Sequence, residues 1–184
     1  MNIEKVWAMP NKDTFSIKPV YEWIRLIIGI MGDEVWVDPF VRHSPFKWDM
    51  RACNDLNPEI EATHNMDALA FLKTLDDESV DGVFFDPPYS PAQIKECYDG
   101  IGIKVMQKDT MSSFYSDLKA EIKRITKPGA KVLCFGWNSG GLGKQRGFKM
   151  KSILLVAHGG NHHDTICTYE IKCPKQSQIQ DFFI

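Results

Sequence analysis

Four consecutive residues, Asp86-Pro87-Pro88-Tyr89, carry the most specific chemistry in the sequence. They follow a short apolar run, Gly82-Val83-Phe84-Phe85, that reads as a buried strand. The first proline fixes φ and has no N–H, and the second keeps the chain extended. A turn this stiff presents a carboxylate, a bare backbone carbonyl and an aromatic ring in one arrangement. Carboxylate and carbonyl are both acceptors, so together they suit an NH2 group with two hydrogens to donate. The ring of Tyr89 suits stacking on a planar heterocycle. The motif therefore describes a planar base with an exocyclic amine, held so that the nitrogen lone pair is free to attack. The same four residues also read as a plain proline-rich turn capped by Asp86.

Three further groups invite a functional reading. Ser90, Pro91 and Gln93 follow the turn and either line the entry to the base pocket or open a helix capped by Ser90. The segment 140–151 is glycine-rich and carries Lys144, Arg146, Lys149 and Lys151 with no acidic residue. It is either a solvated loop or a face for phosphate; Lys144 and Arg146 are the candidate substrate contacts. His158, His162, His163 and Asp164 cluster in the loop 158–164. Adjacent histidines converge poorly on one ion, so a polar turn or a substrate contact through His162 and His163 is preferred to a metal site. Trp36, Trp48 and Trp137 read as packing residues or pocket walls.

The elements that must position these groups alternate along the chain. The spacing predicts helices over 19–31, 67–75 and 112–126 and strands over 34–37, 82–86, 131–136, 148–157 and 165–172. The last two strands flank a loop rich in Gly and Asn, the pattern of an antiparallel hairpin. Alternating strands and helices predict an α/β fold with a mostly parallel sheet, and strand 82–86 delivers Asp86 to the carboxyl end of that sheet, where ligands bind. The chain's 184 residues make one domain, 1–184, with a tail at 173–184 whose apolar end, Asp181-Phe182-Phe183-Ile184, is expected to dock. At that length a separate recognition domain is not expected.

With 22 basic and 24 acidic residues the formal charge is -2, so nucleic acid would have to be held by a local basic face. The five cysteines are scattered without a CxxC pair, which favours free thiols in a reducing compartment. The first residues are polar and no apolar run approaches membrane-spanning length, so a cytoplasmic protein without membrane contact is expected.

Beyond single motifs, the sequence resembles the amino-methyltransferases that use S-adenosylmethionine, the DNA adenine-N6 methylases in particular. Their hallmark [D/N/S]-P-P-[Y/F/W] matches Asp86-Pro87-Pro88-Tyr89. Upstream, Thr14-Phe15-Ser16-Ile17-Lys18-Pro19 resembles their T-x-K-P segment, and Val35-Trp36-Val37-Asp38-Pro39-Phe40 their V-L-D-P-F. Asp55-Leu56-Asn57-Pro58-Glu59 resembles D-x-N-P-E, and Met66-Asp67-Ala68 a segment near the cofactor's adenine. The likeness covers roughly residues 12–172.

The resemblance implies a Rossmann-like class I methyltransferase fold ending in an antiparallel hairpin. It implies catalysis by Asp86, Pro87, Pro88 and Tyr89. It implies a pocket for S-adenosylmethionine drawn from Phe15, Ser16, Lys18, Asp38, Pro39, Phe40, Asp55, Asp67 and Ala68, with Asp55 on the ribose and Asp67 near the adenine. Asp67 also reads as a helix cap. The implied activity is methyl transfer to the amino group of adenine in DNA, without a metal, by a protein that acts alone or as a homodimer sharing the DNA. Two alternatives stay open: methylation of an RNA base, and a non-catalytic nucleic-acid-binding relic of the fold. One departure stands out. Where the family has D-P-F-x-G-x-G, this chain has Asp38-Pro39-Phe40-Val41-Arg42-His43-Ser44, without glycine. A rebuilt loop in which Arg42, His43 or Ser44 supplies the contacts is the favoured reading; loss of the cofactor is the other.

Overall fold

An apolar run without alternation, such as Val83-Phe84-Phe85, needs cover on both faces of its strand. In the computed structural model, which describes residues 1–29, 32–104 and 112–174, this run lies in β4 (Val80–Phe85), inside a seven-stranded sheet. Across the sheet the order is β1 (Asn2–Trp7), β6 (Phe148–Ala157), β7 (Thr165–Lys172), β5 (Thr126–Gly136), β4, β2 (Trp36–Asp38) and β3 (Ala52–Cys53). Every neighbouring pair is parallel except those of β7, which runs antiparallel to β5 and β6. This is the expected Rossmann-like α/β sheet, and its hairpin spans the expected residues.

Side-chain parity builds one core on each face. Phe84, Leu133 and Phe135 join Trp36 and the inward face of α1 (Lys18–Ile28), which buries Val20, Trp23, Ile24 and Ile28. Val83, Phe85, Val132 and Cys134 meet Phe71 and Leu72 of α2 (Ala68–Lys73) and Leu118 and Ile122 of α4 (Ser112–Ile125). Between β4 and α4 lies α3 (Pro91–Gly100), which buries only Ile94. Among the described residues no helix is long and apolar enough to cross a membrane. The apolar end expected at 181–184 lies outside the described residues.

Several elements differ from the sequence expectation. β1 and β3 were not anticipated, and α3 is the helix that Ser90 was read as capping. β1 is an almost wholly exposed edge strand, so it lacks the apolar alternation that marks a half-buried strand. β5 begins at Thr126, directly after α4, and runs through Lys127-Pro128-Gly129, where the spacing suggested a break. The pairing with β4 jumps from Val80–Thr126 to Gly82–Lys131, and the proline is tolerated at this irregularity.

One contact fixes the spacing of β2 and β4. Trp36 is fully buried, and its ring lies flat on Gly82: a Cβ added there would sit 2.2 Å from the indole. Gly82→Ala must therefore displace the largest side chain of the core. We expect it to lower the unfolding free energy by about 2–3 kcal/mol in urea titrations; a loss within error would mean that the indole moves freely.

Candidate active site

Three carboxylates converge where the carboxyl ends of β2, β3 and β4 lie side by side. Asp38 ends β2, Asp55 follows β3 by two residues, and Asp86 follows β4. The crevice between β2 and β4 is also where the chain order reverses, with β3 on one side and β5 on the other. It opens into a cavity of about 500 Å3 whose walls include Pro39, Phe40, Arg42, Asp55, Asp67, Ala68, Asp86, Pro87, Pro88 and Tyr89. A smaller recess continues it between residues 12–15 and the loop 40–44, again against Asp86.

The turn 86–89 is held from several sides. The Tyr89 hydroxyl donates to Asp86 Oδ1, and Thr14 Oγ1 lies 3.2 Å from the same hydroxyl. The Tyr89 N–H donates to Gln93 Oε1 at 2.6 Å, and the Tyr115 hydroxyl to the Pro88 carbonyl at 2.6 Å. Ser90 caps α3, accepting from the Gln93 N–H at 3.3 Å. Among the described residues nothing donates to the Pro87 carbonyl, which leaves it as an acceptor beside Asp86. Burial pushes the Asp86 carboxyl up to about 6; the Tyr89 and Thr14 hydroxyls and the charge of Arg42 pull the other way.

The other two carboxylates are tied to backbone. Asp38 is fully buried and accepts from the Phe40 N–H at 2.8 Å, while its Oδ2 has no partner among the described residues. Burial drives its carboxyl well above the usual range, and repulsion from Asp86 and Asp55 adds to this. Asp55 accepts from the N–H groups of Arg42 and Asn57, at 3.0 and 2.8 Å, so one side chain clamps two loops. Each of its oxygens keeps a lone pair for a ligand hydroxyl. Asn54 knits the same region, its amide donating to the carbonyls of Pro39 and Met66. Asp67 caps α2 through Ala70 N–H at 2.9 Å and also lines the cavity.

The sequence-derived candidates divide accordingly. Pro39, Phe40, Asp55, Asp67, Ala68 and the turn 86–89 come together at the crevice, while Asp38 lies buried behind them at the end of β2 and lines neither space. Phe15 packs into the core and reaches the recess. Ser16 and Lys18 are exposed and line neither space, Lys18 lying 3.8 Å from Glu22; Thr14 faces the site instead. Lys144 and Arg146 are not at the site. They precede β6, whose start pairs with Lys172 near the amino end of β5, about 15 Å along the strands from Asp86. Nor is this loop loose: buried Glu170 accepts from the Leu142 and Gly143 N–H groups, and Arg146 reaches Ser116 on α4.

The histidines also separate. His158 is buried between the Ala8 carbonyl and Thr165 Oγ1, each at 2.8 Å, as a core residue. His163 packs at 4.2 Å on Trp137, which meets the Tyr89 ring edge-on at 5.7 Å, so it stands on the rim of the site; His162 is exposed beside it. Thr14, Asn54 and Tyr115 were not singled out as site residues in the sequence. Thr14 and Asn54 belong to segments that pointed to the site, Gln93 was read with Ser90 as lining the pocket entry, and Tyr115 carries no local signal.

No protein-family model matches the sequence, and no curated protein matches it significantly. Solved structures do match by fold. The protein yhhF of Escherichia coli, provisionally named a methyltransferase, has a TM-score of 0.58 at 10% identity, covering 91% of each chain. The 1,6-didemethyltoxoflavin-N1-methyltransferase of Burkholderia thailandensis, solved with S-adenosylhomocysteine, gives 0.56 at 12% identity over 85% of this chain and 78% of that one. TrmN of Thermus thermophilus gives 0.51 at 13% identity over 85% of this chain and 49% of that one. At these identities the likeness is one of fold, that of the Rossmann-like methyltransferases.

An ionised Asp86 is costly to hold. Its carboxyl titrates near 6 when folded and near 3.9 when unfolded, so the folded state binds the extra proton. The resulting stabilisation is complete below pH 3.9 and is lost as pH rises through 6. Asp86→Asn, which keeps the shape without the charge, should be about 1–3 kcal/mol more stable than wild type at pH 8, the gain vanishing toward pH 4. Urea titrations at both pH values measure it, and a gain independent of pH would exclude this origin.

Proposed function

We propose that this protein is an S-adenosylmethionine-dependent N-methyltransferase acting on the exocyclic amino group of adenine in DNA. The observation that carries the proposal is the pairing of Asp86 with the Pro87 carbonyl, to which no described residue donates, in a cavity also lined by Pro39, Phe40, Asp55, Asp67 and Ala68. The donor set suits the cofactor. The orphaned buried oxygen of Asp38 and the nearby charges of Asp55 and Asp86 favour a ligand carrying an ammonium and a sulfonium. The fold neighbour from Burkholderia holds S-adenosylhomocysteine.

When bound, S-adenosylmethionine supplies an electrophilic methyl group. The residues of the chain do the rest. Asp86 and the Pro87 carbonyl accept the two amine hydrogens and keep the nitrogen lone pair directed at the carbon. The transfer would form the N–C bond as the cofactor's C–S bond breaks and would leave the nitrogen one proton to shed. A carboxyl that titrates near 6 is suited to receive that proton and pass it to solvent. Tyr89, whose hydroxyl steadies Asp86, presents its ring to the base. Most of the rate gain is positional. A base in duplex DNA must first be flipped out. Trp137 and His163 lie on the rim beside Tyr89, where flanking nucleotides would pass. We place this chemistry in the cytoplasm, where the five free thiols remain reduced.

Asp86→Ala should lower methyl transfer to DNA by at least about 100-fold, a far larger loss than that in S-adenosylhomocysteine affinity, because the interaction with the amine belongs to the transition state. In wild type, kcat/KM should rise with pH through about 6 as Asp86 ionises. Tritium transfer to DNA and RNA substrates tests the reading. Labelling of RNA alone would replace adenine in DNA by an RNA base, and binding of nucleic acid without any cofactor binding would mean a relic of the fold.

A further inference from the structure

Arg42 stands where the resembling family has the first glycine of its cofactor loop, and its backbone has the conformation that glycine favours. Its φ is 41°, in the left-handed region; only Glu78 shares a positive φ among the described non-glycine residues. Holding a side chain there costs about 1–2 kcal/mol. Asp55 secures it by accepting the Arg42 N–H. The turn is thus kept and a long cation is added to it. The guanidinium lies 3.8 Å from Asp13 Oδ1, a buried oxygen without a hydrogen-bond partner among the described residues. The residue lines both the cavity and the recess, and its charge acts on Asp86 across the recess.

The recess is therefore charged unevenly. Arg42 and Lys12 line its exposed side, where Asp13 partly offsets Arg42, while Asp86 lines it at the strand ends and the buried Asp38 lies behind it, lining neither space. An amino acid fits such a field with its ammonium toward the strand ends and its carboxylate toward Arg42. Resting on the methyltransferase reading above, we propose that Arg42 binds the carboxylate of the cofactor's amino-acid end, replacing by a charge-assisted contact the close backbone approach that glycines would allow. It is a binding residue and takes no part in the transfer.

Arg42→Gly separates this role from a structural one, because the two predict opposite signs. Glycine relieves the left-handed strain, so the variant should melt at or above the wild-type temperature. Calorimetry should nevertheless show S-adenosylhomocysteine binding weakened about tenfold or more. The affinity for 5′-methylthioadenosine, which lacks the amino-acid end, should stay within twofold. Arg42→Lys should recover part of the loss. Equal losses for both ligands, or none for S-adenosylhomocysteine, would overturn the proposal. So would a loss confined to cofactor-free DNA binding, which would assign the guanidinium to a phosphate. If wild type bound neither ligand, the methyltransferase reading itself would fail, and this proposal with it.

Discussion

The crevice is organised by the cost of crowding like charges. Asp38, Asp55 and Asp86 end neighbouring strands, and two of them sit in surroundings that disfavour the ionised form. The chain answers with few donors: the N–H groups of Phe40, Arg42 and Asn57 and the hydroxyl of Tyr89. Among the described residues none of the three forms an ion pair, and the Asp38 oxygen is left over. Such a site is poised for a positively charged guest, whose arrival offsets repulsion that the protein otherwise carries.

That arrangement persists because the sheet beneath it is rigid. Trp36 against Gly82 sets the distance between β2 and β4, and the aromatic contacts of Phe84 with Phe15, Trp36, Phe46 and Phe135 extend the same plane of packing. Phe15 in turn anchors the segment that brings Thr14 to Tyr89. The core and the crevice are thus one structure: a shift of the strands would alter both the hydrogen bond at Asp86 and the shape of the recess.

Much of this was legible in the sequence where a residue's type and its burial say the same thing. The hairpin, β4 and the turn 86–89 are marked by apolar runs ended by Gly or Pro. β1 escaped because an exposed edge strand carries no such pattern, and its partner lies at the far end of the chain. The site was legible in its acidic residues, whose spacing after strands is local. It was misleading at Lys144 and Arg146, because charge in a sequence does not say which end of a sheet it will occupy. The double use of Tyr89, with its ring at the cavity and its hydroxyl on Asp86, depends on a contact that no single segment encodes.

The pairing of β1 with β6 joins Asn2 to Ser152 and Trp7 to Ala157. During synthesis the first strand leaves the ribosome long before its partner exists, and it must wait unpaired while the central strands assemble. The buried contact between His158 and the Ala8 carbonyl closes at the same late stage. Residues 12–15 depend less on that step, because Phe15 packs on Phe46 and Phe84, which are made well before β6. The outer edge of the sheet, and not the wall of the recess, is therefore what must wait for the end of the chain.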